Sequence, residues 1–196
     1  MRHLVITIGC EYGAKGNAIG RKIAEDLNIK FYNRDLVDEI IEEVGIPKEI
    51  MEKVEEGGTI AGKGAEGDVR GSFSKYADLT DRAIHVQKQI IRKLAEKESC
   101  VIIGRSADYI LKDRDDVLNV FIHGDMPEKT QRIMDLYNVG EKEAVKMMVD
   151  TDKRRMTNYN FYTDQKWGKA SNYTLCLNSS QLGYDRCEKI IMECIK

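Results

Sequence analysis

One segment constrains this chain more than any other: an apolar run that breaks into a glycine-bearing loop and passes at once into an amphipathic helix. It reads Leu4-Val5-Ile6-Thr7-Ile8-Gly9-Cys10-Glu11-Tyr12-Gly13-Ala14-Lys15-Gly16-Asn17. A strand, a tight turn and a helix in immediate succession aim backbone N–H groups and the positive end of a helix dipole at one point, which suits an anion. A lysine at the end of the loop would reach the terminal phosphates of a nucleotide. The pattern approximates G-x-x-x-x-G-K-[ST]. Gly9 and Lys15 are in register, Ala14 replaces the second glycine, and Gly16-Asn17 follow the lysine. Ala14 takes a positive φ less cheaply than glycine, so the loop must bend differently there. Asn17 offers an amide oxygen where the pattern has a hydroxyl, a weak magnesium ligand that acts through water. An ordinary strand–turn–helix with a solvated lysine would show the same residues.

The 196 residues suit a single domain, and 42% hydrophobic content is enough to fill a core. A net charge of −2 gives no electrostatic case for nucleic acid or an anionic membrane. No apolar run is long enough to span a bilayer. The N-terminus enters a strand without a signal-peptide pattern. The five cysteines, at 10, 100, 176, 187 and 194, form no C-x-x-C pair. Such an odd, scattered set suggests reduced thiols and a cytoplasmic setting. The three histidines lie far apart and offer no metal-ligand spacing. Oligomeric state is not readable.

Apolar runs at 4–8, 30–32, 100–103, 118–122 and 173–177 read as strands, and helical patterns separate them. Continuous apolar runs suit strands covered on both faces of a parallel sheet. Ile19, Ile23 and Leu27 recur at spacing four after the loop. Leu79, Ala83, Val86, Ile90 and Leu94 mark a long later helix. The expected fold is a three-layer α/β domain over residues 1–196, with a five-stranded parallel sheet and helices on both faces. Two segments break the rhythm. The glycine-rich 57–67 stretch, inside an acceptor-side insertion at 46–75, reads as a mobile loop, since its glycines have little to pack. Residues 151–172 are dense in Arg, Lys, Tyr and Asn, and read as a lid or as a solvated helix end plus loop.

Three further constellations carry chemistry. Gly104-Arg105-Ser106 ends an apolar strand, and in open α/β sheets ligands bind beyond the carboxyl ends of strands. Arg105 would point its fork into the same crevice as Lys15, where arginine suits bidentate phosphate binding. Asp152 and Arg155 are three apart and share a helical face, beside Arg154. Tyr159, Tyr162, Trp167, Tyr173 and Tyr184 would stack a base or pack the lid.

In their order these motifs resemble the cytidylate kinase-like family of P-loop nucleoside monophosphate kinases. The closest match is a bacterial branch that reads roughly Y-G-S-G-G in the loop. The matching stretches are Tyr12-Gly13-Ala14-Lys15-Gly16, Phe31-Tyr32-Asn33-Arg34-Asp35-Leu36, Val101-Ile102-Ile103-Gly104-Arg105, Val120-Phe121-Ile122, Asp152-Lys153-Arg154-Arg155, Trp167-Gly168 and Asn172-Tyr173-Thr174-Leu175-Cys176-Leu177-Asn178. The resemblance implies a P-loop kinase fold and ATP with Mg²⁺ as cofactors. It also implies small-molecule nucleotide substrates, with phosphoryl transfer to a nucleoside monophosphate such as CMP or dCMP. It assigns Gly9, Gly13, Ala14, Lys15, Gly16 and Asn17 to the donor phosphates, and Asn17 to the metal. It assigns Arg34 and Asp35 to the acceptor, Arg105 to the acceptor phosphate, and Asp152, Arg154 and Arg155 to the acceptor and the transferring group. The chain departs from the pattern at Met148-Val149, where Arg-Asp is usual, at Ile103 and Ser106 around Gly104-Arg105, and at Asn33. Each departure removes a charge that a cytosine site or the metal would use. A catalytically weak nucleotide- or phosphate-binding module, or a kinase of another small metabolite, remains open on these residues.

Overall fold

The five apolar runs form five strands. The computed structural model describes residues 3–55 and 70–195, and it pairs the strands into one all-parallel sheet. They are β1 (Val5–Cys10), β2 (Lys30–Tyr32), β3 (Cys100–Ile103), β4 (Val117–His123) and β5 (Leu175–Asn178). Their order across the sheet is β2-β3-β1-β4-β5, so β1 is central and the strand order reverses beside it. That reversal opens a crevice at the carboxyl ends of the central strands.

Strand periodicity divides the core into two layers. Ile6, Ile8, Val101 and Ile103 face one side, where they meet Ile19 and Ile23 of α1 (Gly16–Leu27) and Ile191 of α9 (Tyr184–Glu193). Val5, Cys100 and Ile102 face the other side. There they meet α2 (Arg34–Glu43), α3 (Lys48–Glu55), α4 (Arg70–Lys97) and α5 (Ala107–Ile110). A smaller apolar cluster joins α6 (Met126–Tyr137) to α7 (Glu141–Tyr162) through Ile133, Ala144 and Met148. Met148, where the family pattern carries a charge, is therefore a core residue. A four-residue helix, α8 (Ser179–Leu182), follows β5.

Several boundaries differ from the sequence reading. β1 continues past residue 8 because Gly9 and Cys10 still pair with Phe121 and Ile122 of β4. β5 starts at Leu175 because a 3₁₀ turn, Ala170–Asn172, captures the amide of Tyr173 on the Ala170 carbonyl at 3.2 Å. Residues 151–162 of the expected lid are the second half of α7. The expected 46–75 insertion opens with α3, and Arg70 already begins α4. The glycine-rich 57–67 stretch lies outside the described residues.

Candidate functional site

The loop after β1 is fixed by its own backbone and by two helices beside it. Gly13 holds φ +82° and Lys15, the N-cap of α1, holds φ 63°. α1 runs so close to β1 that a Cβ at Gly16 would lie 2.5 Å from Cys10 Cβ. The Glu11 amide donates to the Ile122 carbonyl at 3.0 Å. The Glu11 carboxylate accepts from the Gly124 amide at 3.2 Å and from Lys129 Nζ at 2.7 Å. Lys129, on α6, has only 5% of its side chain exposed and Glu11 has 29%, so this pair is a half-buried strut. Arg132, one turn on, donates to the Gly13 carbonyl. From α7, Asp152 Oδ1 accepts the Tyr12 amide at 2.8 Å, and Arg155 donates to the Cys10 carbonyl at 2.9 Å. The Arg155 guanidinium also lies 5.5 Å from the centre of the Tyr12 ring. Tyr12 donates to Tyr137 at 2.8 Å, and burial together with that bond pushes its phenol up to about 12.

A cavity of about 610 Å³ opens at the carboxyl ends of β1 and β3, where the strand reversal puts it. Gly9, Asn17, Arg34, Asp35, Arg105, Arg154 and Arg155 line it, together with Tyr159, Tyr162, Trp167 and Tyr173. The remaining residues assigned from the resemblance lie off this wall. Ala14 and Gly16 are buried under the loop, Gly13 faces α6, and Lys15 is exposed beside the cavity. Asp152 turns away from the cavity to hold the Tyr12 amide, and Tyr184 donates to the Ala18 carbonyl at 2.9 Å.

Arg105 does not point into open solvent. Gly104, Arg105 and Ser106 all take positive φ, and this turn folds the Arg105 side chain under α2. There it donates to Asp38 with 4% of the side chain exposed, against 15% for Asp38. The Arg105 carbonyl accepts from Gln87 of α4 at 3.2 Å. Burial works against both charges, raising the Asp38 pKa and lowering that of Arg105, and the mutual attraction opposes it. At the mouth of the cavity Arg34 is held down to about 10, first by desolvation and then by the Arg105 and Arg155 cations. The Asp38 and Asp35 carboxylates oppose that shift.

A carboxylate that the sequence reading passed over also lies on the wall. Asp108, 7% exposed in the first turn of α5, accepts from Tyr159 at 2.6 Å. Burial raises its pKa, while Tyr159 and the amides of Asp108 and Tyr109 oppose that rise. Burial and Asp108 together push the Tyr159 phenol up. Asp38 carries a sequence signal that was there to be read, because it sits one helical turn after Arg34. Asp108 carries a weaker one, as an acid in the first turn of a helix directly after Gly104-Arg105. Among the described residues no group of three or more His, Cys, Asp or Glu side chains could hold a metal ion, and no helix is long and apolar enough to cross a membrane.

The chain matches the model of the cytidylate kinase-like family over residues 5–181. Among solved structures, an uncharacterized protein from Eubacterium ventriosum is 31% identical, with a TM-score of 0.76 and 98% of each chain covered. A shikimate kinase from Bacteroides thetaiotaomicron is 14% identical, with a TM-score of 0.56 and 98% of each chain covered. A shikimate kinase from Acinetobacter baumannii is 15% identical, with a TM-score of 0.52, over 99% of this chain and 93% of that one. At these last two identities the likeness is one of fold. No curated protein matches the chain.

Proposed function

The chain belongs to the cytidylate kinase-like family, and we propose that it transfers the γ-phosphoryl group of ATP to a small phosphorylated acceptor, a nucleoside monophosphate with CMP the first candidate. In that reaction an acceptor phosphate oxygen bonds to the γ-phosphorus, the bond to the β-bridging oxygen breaks, and two diphosphates leave. The carrying observation is the convergence of Arg34, Arg105, Arg154 and Arg155 on one aromatic-walled cavity beside the β1 loop. Phosphoryl transfer asks little covalent chemistry of a protein. It asks for positioning and for positive charge around the transferring group. Arg34 and Arg105 lie on the acceptor side of that cavity. Arg155 sits where the loop and the cavity meet, tied to the Cys10 carbonyl. Lys15 and the N-terminus of α1 face the donor phosphates.

Magnesium, brought with ATP, would supply positive charge at the transferring phosphoryl group. Mg²⁺ keeps several waters and takes few protein ligands. The Asn17 amide, on the cavity wall next to the loop, suits that role through water. The proposed organisation is a single domain. The second half of α7 and residues 163–172 cover the cavity.

A coupled assay of ADP formation against a panel of nucleoside monophosphates and small hydroxyl acceptors tests this reading. Turnover with one or more monophosphates and none with the hydroxyl compounds is expected. The exposed Lys15 and the Asp38 partner of Arg105 favour a second reading, a nucleotide-binding module with little catalysis. Tight ATP binding with no turnover on any acceptor would make that second reading the better one.

A further inference from the structure

Lys129 is a buried cation that the phosphate chemistry above does not use. It sits on α6, off the cavity wall, with 4% of the residue exposed. A lysine is almost never this buried unless it is paired. Its Nζ donates to Glu11 of the β1 loop at 2.7 Å, from 118 residues away. The Glu11 carboxylate also takes the Gly124 amide at 3.2 Å. The main chains come equally close: a Cβ at Gly13 would lie 3.3 Å from Lys129 Cβ. Arg132 ties the Gly13 carbonyl to the same helix. Helix α6 therefore holds both the side chain of Glu11 and the main chain of Gly13.

Two acids thus touch the loop that the kinase reading gives to a triphosphate. Asp152 accepts the Tyr12 amide at 2.8 Å and has Arg155 3.6 Å away. Burial raises the Asp152 pKa; the Tyr12 amide, Arg155 and Lys129 lower it, and Glu11 raises it. The charge of Lys129 is therefore felt at both carboxylates. With Lys129 gone, an unbalanced Glu11 would repel the negative charges of a nucleotide at the same loop.

Resting on the donor half of the kinase reading, we propose that Lys129 is a positioning residue for the donor nucleotide: by holding and neutralising Glu11, it makes the β1 loop acceptable to a triphosphate. It acts through Glu11 and not by touching the phosphates. That role has a sign. Removing Lys129 leaves a negative charge at the loop, whereas removing the charge of Glu11 leaves a positive one. A strut that only kept the loop in shape would give the same loss from either side.

ATP and CMP are the probes, with binding to the full chain read by calorimetry. Lys129→Met keeps an unbranched stem and removes the charge. It should weaken ATP binding by roughly 10- to 100-fold, the scale of one uncompensated charge several ångström from an anion. CMP binding should change far less, because Lys129 does not line the cavity. Glu11→Gln should bind ATP as tightly as the wild type or more tightly, and adding it to Lys129→Met should restore most of the lost affinity. Thermal melts check folding, and if Lys129→Met does not fold, Glu11→Gln and the double variant decide. Unchanged ATP binding in folded Lys129→Met, an equal loss of ATP and CMP, or a loss in Glu11→Gln as large as in Lys129→Met would overturn the proposal, as would a folded double variant that binds ATP weakly. No ATP binding by the wild type would overturn both readings. The expected ATP pattern in a chain that forms no ADP with any acceptor would sink the kinase reading and leave this one standing.

Discussion

The ion pair between Arg105 and Asp38 gives the sharpest test of how the proposed acceptor end is built. Asp38→Asn removes one charge and keeps the shape. Arg105 then stays 4% exposed with its main counter-charge gone. Breaking a buried pair from one side typically costs about 3–5 kcal/mol. Asp38 is itself 15% exposed, which admits some water, so a cost of about 3 kcal/mol is reasonable here. For a chain of this length that lowers the melting temperature by roughly 6–12 °C. If Arg105 is a phosphate-gripping residue, an anion in the cavity takes over from Asp38. Thermal melts with and without CMP or inorganic phosphate should therefore show a larger ligand-induced rise in Asp38→Asn than in the wild type. Desolvation opposes both charges, so removing both should cost less than removing Asp38 alone. A double-mutant cycle of Asp38→Asn with Arg105→Met should accordingly show coupling on the order of 1–3 kcal/mol. A loss in Asp38→Asn that neither anion recovers, or weaker CMP binding in that variant, would refute the idea that Asp38 stands in for the substrate phosphate.

Lys15→Ala should weaken ATP binding or slow transfer by on the order of a hundredfold, the scale of one positioned donor; unchanged ATP affinity and rate would remove the lysine from the donor site. Gly16→Ala puts a Cβ against Cys10, with 2.5 Å available, and should lower the melting temperature by several degrees, because overpacking costs about 1–3 kcal/mol. Asp108 has a folded pKa raised above its unfolded value, so the wild type loses stability as pH rises from about 4 through that folded pKa. Asp108→Asn lacks this loss, and its melting temperature relative to the wild type should climb from pH 3.5 to pH 7; a flat difference would show that burial does not raise the carboxyl pKa.

The sheet was legible because its strands are covered on both faces, so their apolar runs are continuous and need no knowledge of partners. The loop was legible for a similarly local reason: a strand, a turn and a helix leave their signs within fourteen neighbouring residues. α7 was harder. Of its 22 residues only Ala144, Met148 and Tyr159 are buried, so no apolar stripe marks residues 151–162 as helix, and their charge reads as a solvated lid. The cavity wall around Arg105 and Asp108 was hardest. Arg105 is 67 residues from Asp38, and Tyr159 is 51 from Asp108. Local spacing marks Asp38 and Asp108 singly, but it does not say which residue each one pairs with. Lys129 and Glu11 are 118 apart, and each alone looks like an ordinary surface charge. Asp152 and Arg155 share one helical face and lie 3.6 Å apart, and in this structure they also hold the backbone of Tyr12 and Cys10.

Helix α7 has a mechanical meaning that follows from its continuity. One stretch of it is fastened to the donor loop through Asp152 and Arg155, and about two turns later it supplies Tyr159 and Tyr162 to the cavity wall. From Asp152 to Tyr162 is roughly 15 Å of unbroken helix, at 1.5 Å per residue. A rod of that length works as a lever. Any ligand that displaced the loop would therefore move the aromatic surface at the far end of the rod, and a ring seated on that surface would pull back on the loop. Under the proposed reaction the two substrates would then be thermodynamically linked: whatever factor the donor applied to acceptor affinity, the acceptor would return to the donor.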